Sequence, residues 1–280
     1  MKDNICLLCI LLTMIASGYS LESACAGEDG VAPWQARQRP GSALSLTGDL
    51  DGGVTAYSKG DYAAAHRIFL KEAQKGSANA QYKLGYMYAN GQGVPRDDRE
   101  SVKWYRIAAE KGSAAAQYNL AIMYEEGRGV MQDEREASRW YKSAAEKGLA
   151  AAQYNLGVIY GNGHGVEQSD EEAFRWFKLA AAQGLAPAQY NLGLMYANGI
   201  GVEQDDKEAF RLFSLATAQN DIRAKCGLAM MYASGSGTVK DLLKAKQLAR
   251  EGYEAGEEIC KLVWNKGHLG DPAESGLGIR

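Results

Sequence analysis

Charge of one sign is missing from this chain. Its 31 basic residues stand against 34 acidic ones, a formal balance of −3, so there is no basic field of the kind that holds a phosphate backbone, and no nucleic acid is expected as a partner. Histidine is nearly absent, at 3 residues. Neither His nor Cys falls at a spacing suited to zinc, and His66 on a helix face, His164 in a loop and His268 in the tail read as surface positions. No metal site, cofactor or catalytic residue is therefore expected, since no nucleophile, base and orienting group stand out together. Proline is scarce, at 5 residues against 33 glycines. With 46% hydrophobic residues, that mixture suits closely packed helices joined by glycine turns.

Long apolar runs are lacking too. The longest, Ile5 to Ala16, falls short of the about 20 residues a membrane helix needs. Behind Lys2, and followed by Ala24-Cys25-Ala26, it reads as a signal peptide over residues 1–26, with cleavage expected after Ala26 and Gly18 or Ser20 as alternative sites. The expected location is periplasmic or secreted, with no transmembrane segment in the mature chain. Glu22 stands where a bacterial lipobox wants an apolar residue, which argues against lipidation of Cys25. Export would carry Cys226 and Cys260 into an oxidising compartment, either as two buried thiols or as a bridge.

What the chain has in abundance is repetition. Leu84, Leu120, Leu156, Leu192 and Leu228 are spaced by 36, as are Tyr88, Tyr124, Tyr160, Tyr196 and Tyr232. Gln81, Gln117, Gln153 and Gln189 keep the same period, as do Trp104, Trp140 and Trp176, with Leu212 and Leu248 completing the last series. Five units follow without a gap: 77–112, 113–148, 149–184, 185–220 and 221–256.

Each unit spells two helices. Ala80, Leu84 and Tyr88 form an i, i+4, i+8 ladder along one buried face. Beside the leucine stands a very small residue (Gly85, Ala121, Gly157, Gly193, Ala229). Glycine costs up to about 1 kcal/mol in a helix, so its recurrence implies that a neighbouring helix approaches closely. A Gly-x-Gly-Val loop follows, as in Gly91 to Val94, its first glycine ending the helix in a left-handed conformation. It is no phosphate cradle, since no Lys-Ser/Thr pair follows it. The second helix opens with Asp97 and Glu100, Asp133 and Glu136, Ser169 and Glu172, or Asp205 and Glu208. That is capping-box spacing, with both side chains expected to satisfy free N–H groups. Its body sets small residues against large ones, as in Ser101, Trp104 and Ala108, and it stops at glycine or, once, at Asn220.

The pattern Ala-x3-Leu-Gly-x2-Tyr, Gly-x-Gly-Val, Asp, Ala-x2-Trp and Ala-Ala-x2-Gly resembles the Sel-one-like repeat, a relative of the tetratricopeptide repeat, over residues 77–256. Residues 49–76 resemble a tetratricopeptide-like capping hairpin, with Gly60-Asp61-Tyr62 as its turn. Residues 27–48 read as a flexible linker. Ile259 to Trp264 starts a further first helix within 257–280, which ends as a loose tail.

The resemblance implies an all-α fold, a right-handed α/α superhelix whose concave surface is lined by first helices. It further implies a non-enzymatic adaptor or scaffold in the bacterial envelope or secreted space. A cysteine-rich branch of the family is linked to penicillin binding or β-lactamase-like activity, and this is the alternative reading; its disulfide pair within each repeat is absent here. By analogy, a protein or peptide partner would meet Tyr82 and Tyr86, Tyr118 and Ile122, Tyr154 and Val158, Tyr190 and Leu194, and Met230 on the concave face. Cys226 takes the place of the signature tyrosine, and Cys260, 34 residues later, stands near the corresponding place on the next first helix. The two are candidates for a disulfide.

Overall fold

The structure, a computed structural model, describes residues 48–257 and Cys260. The proposed signal peptide, the linker up to residue 47 and the tail from 261 lie outside the described residues. Among the described residues there are twelve helices and no strand. Two form a leading hairpin, α1 (Gly48–Ser58) and α2 (Tyr62–Gln74). Five pairs of 13-residue helices follow in the chain: α3 (Ala78–Asn90) and α4 (Asp98–Glu110), α5 (Ala114–Glu126) and α6 (Glu134–Glu146), α7 (Ala150–Asn162) and α8 (Asp170–Ala182), α9 (Ala186–Asn198) and α10 (Asp206–Ala218), and α11 (Ile222–Ser234) and α12 (Leu242–Glu254).

These residues divide into two compact bodies, one ending at Gln168 and the other starting at Ser169. Within each, every helix packs against the next in the chain, and first helices also touch across the seam between hairpins, α3 on α5 in one body and α9 on α11 in the other. In the N-terminal body, Leu50, Phe69, Leu84 and Met87 form one buried layer, against which Trp104 leans. Tyr82, Tyr105, Leu120 and Met123 form the next, with Trp140 against it. The C-terminal body repeats the scheme with Tyr190, Phe213, Leu228 and Met231.

The caps explain the punctuation. Gly91 ends α3 at φ 65°, and Asn220, the one non-glycine residue in the left-handed region among the described residues, takes the same conformation at φ 65°. Asp97 caps α4 by accepting from the N–H groups of Arg99 and Glu100, and Asp133 and Asp205 do the same for their helices. The reciprocal half of the capping box does not form. The N–H of Asp97 already donates to the carbonyl of Tyr88 at 3.0 Å, and those of Asp133 and Asp205 reach Tyr124 and Tyr196 likewise. Glu100, Glu136, Glu172 and Glu208 are thereby free to pair with Lys103, Arg139, Arg175 and Arg211 one turn on. The repeated glutamines clip hairpins together: Gln81, Gln117 and Gln153 each donate from Nε2 to the backbone carbonyl eight residues back, near the end of the preceding helix.

Candidate functional site

In each body, first helices meet second helices through ring pairs. Tyr82 of α3 stands 5.9 Å from Tyr105 of α4, Tyr118 of α5 5.7 Å from Tyr141 of α6, and Tyr190 of α9 5.8 Å from Phe213 of α10. The second member of each pair belongs to a 36-residue series, Phe69, Tyr105, Tyr141, Phe177 and Phe213, that lies just beyond the tryptophans and is buried throughout. This series is what the small residue beside each leucine makes room for. A Cβ on Gly85 would fall 2.5 Å from the Tyr105 ring, and one on Gly193 would fall 2.8 Å from Phe213. What comes close is an aromatic ring of the same hairpin, not the backbone of a neighbouring helix.

The ladder sorts the candidate partner-binding residues. Tyr82 and Tyr190 are buried, at 6% and 3% exposure, and give a partner little surface. Tyr118 and Tyr154 are half-buried. The residues one turn further on, Tyr86, Ile122 and Val158 in the N-terminal body and Leu194 and Met230 in the C-terminal body, are all half-buried, and Tyr86, Leu194 and Met230 pack against the core.

Two tyrosines of the leading hairpin join Tyr86. Tyr57 makes an edge contact with Tyr62 at 5.0 Å and donates its hydroxyl to Oε1 of Gln92 in the first loop. Burial first, and then the neighbouring phenol of Tyr86, raises the Tyr57 hydroxyl well above its ordinary value; burial and then Tyr62 raise that of Tyr86. Tyr57 and Tyr86 are therefore neutral rings with polar tips at physiological pH. Tyr57 and Tyr62 fall outside the five units, so the 36-residue ladder of first helices does not pick them out.

Two charges are held in low dielectric nearby in the chain. Lys83 is buried, its Nζ 5.5 Å from the centre of the Phe69 ring, and burial lowers its pKa to about 8. Glu125, at the end of α5, accepts from the Tyr141 hydroxyl at 2.6 Å, and burial holds its carboxyl above the usual range. Between hairpins, Arg128 donates to Asp98 at 3.0 Å.

Among the described residues, no group of His, Cys, Asp and Glu is placed to hold a metal ion, and no helix is long and apolar enough to cross a membrane. Of the two described histidines, His66 is the more buried. Its ring packs edge-on against Tyr88 at 5.5 Å, and burial lowers its pKa. The acids of the second helices serve as caps and in ion pairs with the next turn. The arrangement offers stacking surface, phenolic hydroxyls and apolar edges, the chemistry of contact.

The C-terminal hairpin departs from the ladder. Cys226 stands where Tyr82 stands in its own hairpin, and Ala249 where Tyr105 does. In place of the ring pair, a disulfide joins Cys226 to Cys260, with the Cα atoms 4.9 Å apart and both residues fully buried.

A family model for the Sel1 repeat matches five times in succession, at residues 78–113, 114–149, 150–185, 186–221 and 222–257. Among solved structures, a Sel1 repeat protein from Oxalobacter formigenes superposes with a TM-score of 0.72 at 30% identity, covering 80% of this chain and 90% of its own. Another is c5321, a protective antigen of uropathogenic Escherichia coli strains displaying an SLR fold. It gives a TM-score of 0.71 at 33% identity over 80% of this chain and 54% of its own. No curated protein matches.

Proposed function

Because the chain belongs to the Sel1-repeat family, whose helical hairpins generally act as scaffolds for protein interactions, we propose that it is a non-enzymatic adaptor binding a protein or peptide across its first helices. The observation that carries this reading is the half-buried series Tyr86, Ile122 and Val158, one residue per hairpin at the same place on each first helix. Side chains anchored on one edge and wet on the other give contact area with little entropy left to lose, and positions that vary on a repeated frame are where specificity can reside. Tyr62, half-buried and held edge-on by the buried ring of Tyr57, extends the strip at its N-terminal end. The face works best on a partner with apolar or aromatic side chains and backbone carbonyls to receive phenolic hydroxyls.

The mature protein would do this in the bacterial envelope or outside the cell. Residues 1–26 carry the export reading by composition. That a protein of the same fold from Escherichia coli is a protective antigen accords with it.

Capture of the partner from native envelope extracts by the mature chain tests the binding role. Tyr86→Asp or Ile122→Asp should abolish capture while leaving the helical circular dichroism intact. Capture by both variants at the level of the parent chain would sink the assignment of the face. Hydrolysis of a chromogenic β-lactam by the pure protein would instead favour the penicillin-related alternative, and fusion of residues 1–26 to a reporter active only outside the cytoplasm tests export.

A further inference from the structure

The Gly-x-Gly loop of each hairpin lands on the first turn of the second helix one hairpin earlier. Gly93 sits against Tyr62, Gly129 against Asp98, Gly165 against Glu134, Gly201 against Asp170 and Gly237 against Asp206. In every case a side chain on the glycine would run into the carbonyl of that helix residue. The residue between the two glycines can then meet the side chain below, and Arg128 does so, donating from Nη2 to Asp98 Oδ1 at 3.0 Å. The residues that receive a loop are all polar: Tyr62, Asp98, Glu134, Asp170 and Asp206.

The next position in that series is Leu242, on the first turn of α12. It is 45% exposed, and beside it Leu243 and Val239 are 82% and 84% exposed. Their counterparts one hairpin earlier are Asp206, Lys207 and Glu203. A repeat array whose end exposes apolar side chains invites association unless something covers it. The loop spacing recurs once more in the sequence, beyond the fifth unit. Gly276-Leu277-Gly278-Ile279 keeps the spacing of Gly127-Arg128-Gly129-Val130, with leucine where Arg128 stands. Arg128 meets the acid Asp98 below it; a leucine in the same place over Leu242 would set one apolar side chain on another.

We propose that residues 276–279 dock on the first turn of α12 as a sixth copy of the loop, with Leu277 over Leu242, and so cap the C-terminal end of the repeats. The connection is long enough. From Cys260 to Gly276 is 16 positions, against 11 from Ala224, the counterpart of Cys260, to Gly235. The five extra residues lengthen the arm without limiting its reach.

Two measurements on the full mature chain test this. With Leu242→Cys and Leu277→Cys together, mild oxidation of a dilute sample should give a bridge within one chain, identified by peptide mass spectrometry. In the second, Leu277→Asp should speed hydrogen exchange at residues 242–246 by about tenfold, equal to about 1.4 kcal/mol. Leu277 follows the last repeat unit in the sequence, and unchanged helical circular dichroism of the variant checks that the repeats stay folded. No bridge, a bridge formed only between two copies, or unchanged exchange in the variant would each overturn the proposal.

Discussion

Gly252 and Cys260 share one site: the space where a Cβ on Gly252 would lie holds the Sγ of Cys260, with the Sγ of Cys226 3.1 Å from the same point. In the four earlier second helices that position is Ala108, Ala144, Ala180 and Ala216. Four changes therefore go together in the last hairpin. The ring pair is lost at Cys226 and Ala249, the ladder alanine becomes Cys260, and the facing alanine becomes Gly252. The sulfurs fill the volume the rings vacate, and the glycine lets them in.

Reduction of the Cys226–Cys260 bridge should therefore loosen the C-terminal hairpin first. Closing a loop of sequence separation 34 contributes about 3–4 kcal/mol in the chain-entropy view. Hydrogen exchange of α11 and α12 should rise on adding reductant while α3 to α6 keep their protection, because repeat arrays lose stability locally. Gly252→Ala should mimic part of this effect in the oxidised protein. Equal exchange in all hairpins before and after reduction would contradict the assignment.

The loop glycines should divide into two classes. Gly129 is at φ +69° with a peptide of Asp98 and Arg99 pressed against it, whereas Gly148 is at φ +83° with open space around it. Gly148→Ala should cost only the left-handed conformation, about 1–2 kcal/mol. Gly129→Ala adds a clash with backbone that cannot swing aside, and should cost about 2–4 kcal/mol in all. Urea denaturation of the two variants side by side provides the check, and a larger loss at Gly148 would contradict it.

The repeat was legible in the sequence because single positions do one job five times. Leu84 and its successors fill the core, and Gly91 and its successors end a helix, so spacing alone reveals both. The aromatic series at Tyr105 was harder to see. It changes from tyrosine to phenylalanine to Ala249, and it stands beside a tryptophan that draws the eye. As far as Phe213 size is kept there, not identity, and at Ala249 both are lost. The missing half of the capping box had no signal at all, since the Tyr88 carbonyl that takes the Asp97 N–H belongs to the previous helix and is backbone. Of the candidate site, the period picked out the right positions but could not tell a buried ring such as Tyr82 from a half-exposed one such as Tyr86. A second-helix ring does not decide it alone, since Tyr118 is paired with Tyr141 and still half-buried, so the difference lies in the packing around each ring.

Lys83 should give the protein an unusual gain of stability in mild alkali. Its folded pKa of about 8 lies below the unfolded value of 10.5, because burial penalises the charged amine. Between those values the unfolded chain binds more protons than the folded one, so unfolding must take up a proton, which is harder as pH rises, and the folded state gains. The gain begins near pH 8 and is complete near pH 10.5, and it amounts to at most about 3 kcal/mol for this one group. Lys83→Met keeps the buried stem and its contact with Phe69 while removing the charge, so it should be more stable than the parent at pH 7 and equal to it near pH 10.5. Chemical denaturation at pH 7, 8.5 and 10 reads the difference directly. A parent and variant whose stabilities run parallel across that range would show that Lys83 keeps its proton, and reaches solvent, in the folded protein.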